Sequence, residues 1–301
     1  MAVRRIPEPF DSPAHLAQFK WDGVRCLARI AGGSVQLCSR SLRDRTAKYP
    51  ELHGLPRQVA AREAILDGEL VVLRQGQPSF FAVMQRELSG PALAPRLARS
   101  AAAVYMVFDL VELDGRELAP EPLTARQAAL ERVLTPDAAV QCVESFPGSQ
   151  ATALFNAVAA QGLEGIVLKA AASPYVPGAR TSHWLKAKTL RRVNAVVGGV
   201  SGLPGHAGAL LLGLYDGERL RYVGRAGSGV ATADLEHLRR ELAHPQSPFV
   251  PPPALGGLPV IWVQPQVVAA IEFAEWTPDL HLRHPVVAGF TALPAASCRF
   301  S

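Results

Sequence analysis

Lysine is almost missing from this chain. Of its 31 lysines and arginines only five are lysines: Lys20, Lys48, Lys169, Lys186 and Lys188. Arginine stays protonated and cannot act as a nucleophile, whereas a lysine can lose its proton when desolvated or set beside other cations. The five that remain are candidates for positions where arginine cannot serve. Cysteine is also scarce. Cys26, Cys38, Cys142 and Cys298 form no CxxC pair and no Cys/His cluster, which argues against a zinc site. Nothing in their spacing calls for a disulfide, and a reducing cytoplasm is the simplest setting. Cys26 and Cys38 could face each other across a hairpin, although two buried free thiols are the simpler reading. The eight histidines form no spaced ligand set. No apolar run approaches the ~18 residues a membrane helix needs. The opening MAVRRIPEPFDSPAHLAQF has no apolar stretch after its arginines, so neither a signal peptide nor a membrane span is expected.

What is present suits a folded globular protein. The 301 residues suffice for one large domain or two ordinary ones, and 49% hydrophobic content is ample for a core. The formal charge is +5. Residues 1–190 carry 22 basic and 18 acidic side chains and residues 191–301 carry 9 and 8, so the excess lies mostly in the first part. An excess of this size fits a polyanion partner, but so small a charge more often reflects plain solubility.

The first 190 residues mix strands and helices. CLARI and SVQLCS, joined by Ala31-Gly32-Gly33, read as a β-hairpin. AILDGELVVL and VYMVFDLVEL are apolar runs broken by acids, as expected of strands whose ends present carboxylates to a cleft. Leu123 to Leu134 has helical spacing with a Thr124 cap, and GSQATALFNAVAAQG is a second helix ended by Gly162. After Lys188 the texture changes to short strands with glycine turns and one helix, ATADLEHLRRELA. About five strands and one helix in ~110 residues suggest a Greek-key barrel of the OB type. Pro245 to Pro259 is too proline-rich for a central strand and reads as an irregular crossing loop. The boundary falls near KTLRRVN.

Lys20-x-Asp22-Gly23-x-Arg25 alone is a weak pattern, whose plain reading is a surface lysine beside a glycine turn. It gains weight from five further patterns spaced along the chain in a definite order: Ser39-Arg40, Asp67-Gly68-Glu69, Val107-Phe108-Asp109, Glu164-Gly165-x-Val167-x-Lys169 and Trp184-Leu185-Lys186-Ala187-Lys188. Four of the five lysines lie inside these patterns. Strand alternation puts Lys186 and Lys188 on one side, which suits a solvated face or a phosphate clamp.

This series resembles the covalent nucleotidyltransferase superfamily of DNA ligases, RNA ligases and mRNA capping enzymes. It is most similar to the ATP-dependent ligase domain of bacterial nonhomologous end-joining DNA ligases. KWDGVR, LDGELVVL, VFDLVELDGREL, GLEGIVLK, SPYVPGARTSHWLKAK, GALLLGLYDGERLRYVGRAG and FAEWTPDLHLRHP carry the likeness from about residue 7 to 290. The resemblance implies an α+β adenylation domain, residues 1–190, followed by an all-β OB-fold domain, residues 191–301. It implies that Lys20 attacks the α-phosphate of ATP, that Lys186 and Lys188 ease loss of its proton and neutralise phosphate charge, and that Arg25 and Glu69 contact the nucleotide and its ribose. Phe108 would stack on adenine, though a phenylalanine in such a run otherwise reads as core. Glu164 would bind Mg²⁺ or Mn²⁺, and Arg40 would meet the 5′-phosphate of a nick. The expected partner is nicked double-stranded DNA, with end-joining or repair proteins beyond it, and the expected form is a cytoplasmic monomer.

Two departures stand out. The residue two before the nucleophile is usually glutamate in that family and is Gln18 here. The Arg-x-Asp-Lys element expected after Arg283-His284-Pro285 is replaced, with Thr291, Leu293 and Pro294 in its place. Those missing charges would weaken self-adenylation more than sealing. The rival readings are an RNA ligase or capping-type nucleotidyltransferase, and a nick-binding protein with impaired self-adenylation. A large NAD-dependent ligase is disfavoured by length and by the lack of zinc cysteines.

Overall fold

Gly32 and Gly33 both have positive φ (56° and 73°), which is what a two-residue hairpin turn demands. They join strands Val24–Ala31 and Ser34–Ser39, with Ala31 opposite Ser34. The hairpin is the edge of a seven-stranded sheet that continues through Glu63–Arg74 and Ala103–Leu113, both antiparallel. The structure, a computed structural model, describes residues 1–300 and divides into two compact units, Met1–Thr189 and Leu190 onward.

One face of this first sheet carries Cys26, Ala28, Ile30, Leu66, Leu70, Val72 and Tyr105 into the largest core of the first unit. The opposite face carries polar groups. Asp67 pairs with Leu27 on one side and Asp109 on the other, and Glu69 pairs with Arg25 and Met106. These carboxylates sit mid-strand, not at strand ends as the sequence suggests. Asp67 lies opposite Asp109 while Gly68 lies opposite Val107, so Phe108 is the extra residue of a β-bulge. A bulge re-aims a side chain, and this one lets Asp109 share the polar face with Phe108, where strict alternation after Tyr105 and Val107 would send it into the main core.

A second sheet is ordered Ala2–Arg5, Arg180–Lys188, Gly165–Ala170, His15–Phe19, Phe146–Pro147. Helix Ala151–Ala160 covers one face, packing Val158 with Ile166, Leu168 and Ala187. The other face presents rows set by register: Gln18, Val167 and Lys186 in one, Leu16, Lys169 and Trp184 in the next. Gly165 has φ +138°, and a Cβ there would strike the Ala187 carbonyl oxygen. The Glu-Gly pair is therefore fixed by close strand approach.

The second unit has strands Arg191–Ser201, Ala209–Asp216, Arg219–Ala226, Ala243–His244, Val260–Val263, Val268–Phe273 and Val286–Thr291, with helix Thr232–Glu241. Every pairing among them is antiparallel. Arg191–Ser201 is shared along its length, pairing first with Val268–Phe273 and then with Val260–Val263. Pro245 to Pro259 holds no regular strand and sends Phe249 into the core.

One further local expectation fails, the Thr124 cap, and that of two buried free thiols at Cys26 and Cys38 holds except that Cys38 is only partly buried. Helix Leu123–Val133 is capped by Pro122 without a side-chain bond, and Thr124 lies inside it with its N–H on the Ala171 carbonyl (3.2 Å). Cys26 lies opposite Ser39 and Cys38 opposite Leu27, so the two thiols occupy neighbouring rows and do not face each other. All four cysteines are free, and only Cys26 and Cys298 are buried. Strand Ala2–Arg5 and helices Phe80–Leu88 and Ala94–Ser100 were not anticipated.

Helix Leu123–Val133 packs Ala129 and Leu130 into the main core and also buries Arg126. This arginine is fully buried and grips the fully buried Asp109 with two bonds (2.7 and 2.9 Å), while its third nitrogen donates to the carbonyls of Glu121 and Ser173 (2.6 and 2.9 Å). Removing one partner of a buried pair strands the other's charge. Arg126→Met is expected to destabilise the first unit by about 3–5 kcal/mol in urea unfolding, with part regained in the Arg126→Met/Asp109→Asn double variant. A loss under about 1 kcal/mol would mean that Asp109 is relieved by water.

Candidate active site

The two sheets of the first unit enclose a cavity of about 220 Å³. Its wall from the second sheet holds Gln18, Lys20, Val167, Lys169, Trp184 and Lys186, and its wall from the first holds Arg25, Arg40, Glu69 and Phe108. Seven widely separated segments thus converge. Of the residues singled out in sequence, Glu164 and Lys188 do not line the cavity but reach it through Lys20. The Lys20 amine is ion-paired with Glu164, whose other oxygen lies 2.6 Å from the Lys188 amine. The Lys20 backbone N–H donates to the Gly165 carbonyl (2.9 Å), so main chain and side chain are tied to the same dipeptide.

The electrostatics follow from this crowding. Burial works to raise the Glu164 carboxyl, but Lys20 and Lys188 together outweigh it and hold it below the ordinary value. Lys186 is shifted down, first by burial and then by the charges of Lys188 and Lys20. Glu69 goes the other way. Burial pushes it up to about 8 against the pull of Lys20 and Arg25.

Arg25 is less free than the sequence implies. Its Nε donates to Asp67 Oδ1 (2.8 Å), its Nη2 reaches Asp67 Oδ2, and its Nη1 donates to the Met1 carbonyl. Tyr175 donates its hydroxyl to the same Asp67 oxygen (2.8 Å) and lies 3.4 Å from Arg25 Nη2. One N–H of Nη1 is left for a ligand. Phe108 meets the edge of Trp184 (centroids 5.8 Å apart), with the Arg25 guanidinium 5.4 Å from its centre. Gln18 is nearly fully buried and its Nε2 donates to Ser145 (2.8 Å), leaving Oε1 for any ligand contact. Arg40 lies in a turn stiffened by Ser39, whose hydroxyl accepts from the Arg43 N–H (3.1 Å) and bonds Ser41 (3.1 Å). Lys48, the one lysine outside the patterns, donates to the Glu87 carbonyl at the end of helix Phe80–Leu88.

Sequence reasoning gave no role to Lys169, although its presence among five lysines and inside the Glu164-Gly165 pattern was a signal. It is 2% exposed and its amine has no hydrogen-bond partner. It lies 4.2 Å from the Phe108 ring centre and 4.1 Å from that of Trp184. The rings attract a cation, but burial without a partner dominates and lowers the amine to about 7. Trp184 and Tyr175 were also missed, since neither residue type signals a polar site by itself.

No set of three or more His, Cys, Asp or Glu among the described residues is arranged to hold a metal ion. A Mg²⁺-type ion needs no such cage when phosphates and water supply most ligands, and Glu164 is the carboxylate beside Lys20, although both its oxygens already hold ammonium groups, so a cation would share them or displace one. No helix among the described residues is long and apolar enough to cross a membrane.

Two sheets enclosing a cationic cleft, and a separate strand-rich unit later in the chain, define a nucleotidyltransferase with an OB-type domain. The family model for the ATP dependent DNA ligase domain matches residues 2–188, and that for the ATP dependent DNA ligase C terminal region matches residues 204–291. The chain belongs to the ATP-dependent DNA ligase family. It is 36% identical over 273 residues to the multifunctional non-homologous end joining DNA repair protein LigD of Mycobacterium tuberculosis, covering 88% of this chain and 34% of that one. The ligase domain of M. tuberculosis LigD is 31% identical, with a TM-score of 0.55 over 99% of this chain and 97% of that structure. A mycobacterial DNA ligase D solved with ATP and MES is 30% identical, with a TM-score of 0.54 over 99% and 98%. The chain spans about a third of the length of the curated LigD relatives it matches.

The caged Lys169 has a measurable consequence. Its folded value of about 7 lies below the ordinary 10.5, so between these the unfolded chain binds a proton that the folded one does not, and stability rises with pH. Lys169→Met should therefore be more stable than wild type at and below pH 7, by on the order of a few kcal/mol, with the gain fading as pH climbs toward 10.5. Urea unfolding of both proteins across that range checks it; a pH-independent difference would mean that Lys169 stays charged in the fold.

Proposed function

We propose that this chain is an ATP-dependent DNA ligase that seals nicks in duplex DNA through a lysyl-AMP intermediate formed on Lys20. The observation that carries the reading is the placement of Lys20, anchored to Gly165, paired with Glu164 and facing a cleft that also holds Lys186 and Arg25. An amine that attacks phosphorus must first shed a proton; the N–P bond then forms as the α–β P–O bond breaks and pyrophosphate leaves. AMP passes from Lys20 to the 5′-phosphate of a nick, and the 3′-hydroxyl displaces it to close the strand. Lys186 and Lys188 offset charge on the phosphate in transfer. Phe108 stacks on the base, Glu69 bonds the ribose, and Arg25 offers its remaining N–H. A divalent cation, Mg²⁺ or Mn²⁺, held by Glu164 with phosphate oxygens and water, would supply charge neutralisation at the phosphates.

Arg40, on its stiff turn at the edge of the cleft, meets the 5′-phosphate. The setting proposed is DNA repair or end joining, after the LigD relatives, with partners of that kind acting beside a cytoplasmic enzyme. Sealing of a labelled nicked duplex with ATP and Mg²⁺ tests the reading. Wild type is expected to seal and Lys20→Arg to fail by at least about 10³-fold while keeping its melting temperature, since arginine does not deprotonate. Sealing by Lys20→Arg would assign the nucleophile elsewhere.

The replaced C-terminal element affects one step. Thr291 ends strand Val286–Thr291, and its hydroxyl accepts the Leu293 N–H (3.1 Å). The nearby arginines are engaged, Arg283 with Glu275 and Arg299 with the carbonyls of Gly217 and Ala296. Removing a donor that acts only in the transition state costs on the order of 10²–10³-fold. Single-turnover self-adenylation is therefore expected to be slower than sealing of a pre-adenylated nick. Equal rates would show that another cation meets the pyrophosphate.

A further inference from the structure

We propose that Tyr175 is a positioning residue for nucleotide binding, its hydroxyl fixing the Asp67–Arg25 pair in the orientation from which Arg25 meets the nucleotide; this rests on the reading of the cleft as the ATP site. Tyr175 comes from the segment between strands Gly165–Ala170 and Arg180–Lys188, is 6% exposed, and is anchored by its backbone N–H on the Ala119 carbonyl (2.7 Å). Its oxygen does two things at once. It donates to Asp67 Oδ2 at 2.8 Å and stands 3.4 Å from Arg25 Nη2, closing a ring of phenol, carboxylate and guanidinium. Burial, helped by Asp67, pushes the phenol well above its ordinary value, so it remains a donor at working pH.

The ring matters because Arg25 has little to spare. With Nε and one Nη2 N–H on Asp67, the other Nη2 N–H on the Tyr175 hydroxyl (3.4 Å) and Nη1 on the Met1 carbonyl, one N–H of Nη1 is available to a ligand, and a single donor is useful only if aimed. Asp67 cannot aim it alone. Its carboxylate is fully buried and accepts Arg25 through both oxygens, so carboxylate and guanidinium can tilt together unless a third group holds one of them. Tyr175 is the group placed to do so, because its own ring is locked: it meets the edge of Trp184 (6.0 Å) and lies under the Arg126 guanidinium (5.9 Å). Those contacts need the ring and not the hydroxyl. The substitution Tyr175→Phe therefore keeps the packing and isolates the hydrogen bond.

The test is self-adenylation of the full chain with ATP and Mg²⁺, wild type against Tyr175→Phe. A hydrogen bond to a charged group contributes enough that KM for ATP should rise roughly tenfold, with the maximal rate within about twofold. Tyr175→His, which returns a ring N–H donor, is expected to recover most of the loss and covers the case in which the phenylalanine variant does not fold. An unchanged KM in folded Tyr175→Phe, equal behaviour of the Phe and His variants, or a loss of thermal stability without a change in KM would each overturn the proposal. Absence of self-adenylation in wild type would instead sink the reading of the cleft, and the proposal with it.

Discussion

Glu164 holds two ammonium groups at once, Lys20 on one oxygen and Lys188 on the other. Three lysines crowd this end of the cleft, and without a shared anion their repulsion would splay the strands that carry them. The backbone makes the sharing possible. Gly165 lies opposite Lys188 in one strand pair, accepts the Lys20 N–H, and has a conformation that leaves no room for a side chain. A carboxylate one residue earlier is then bound to meet both amines. Charge placement and strand register are one constraint here, and the cleft is built outward from it.

The other end of the cleft is held by buried charge of a different kind. Asp67 is matched by Arg25 and Tyr175, Asp109 by Arg126, and the segment carrying Tyr175 also supplies the Ser173 carbonyl that Arg126 grips. Bonds of this type contribute little net stability when complete and cost several kcal/mol when one partner is removed. They favour one arrangement over near neighbours. Lys169 is the exception, a buried amine with aromatic rings for company and no acceptor, and its low proton affinity follows from that. A ligand that brought an acceptor to it would change its protonation.

Much of this was legible in the sequence where the signal was local. The glycine turn at Gly32-Gly33, the alternation of Lys186 and Lys188, the helix ended by Gly162 and the strand-rich texture after Lys188 all depend on neighbouring residues. The ordered patterns brought Lys20, Arg25, Arg40, Glu69, Phe108 and Lys186 to one cavity, with Glu164 and Lys188 beside it. What stayed hidden depends on distant partners. The bulge at Phe108 that brings Asp109 to the polar face is a property of two strands, and Thr124 looked like a cap because the backbone acceptor at Ala171 is far along the chain. The ties that Asp67 and Tyr175 place on Arg25 come from side chains more than forty residues away, and the isolation of Lys169 is likewise set by the fold around it, which no window of sequence contains.

The central claim is that Lys20, in its pair with Glu164, is where AMP becomes covalently attached. The most direct measurement is peptide mapping by mass spectrometry after incubation with ATP and Mg²⁺ and digestion under conditions that preserve a phosphoramidate. The account predicts one added AMP, on the peptide that contains Lys20, and none on peptides containing Lys169, Lys186 or Lys188. AMP on any of those lysines, or no adduct on a protein that nonetheless seals nicks, would contradict it.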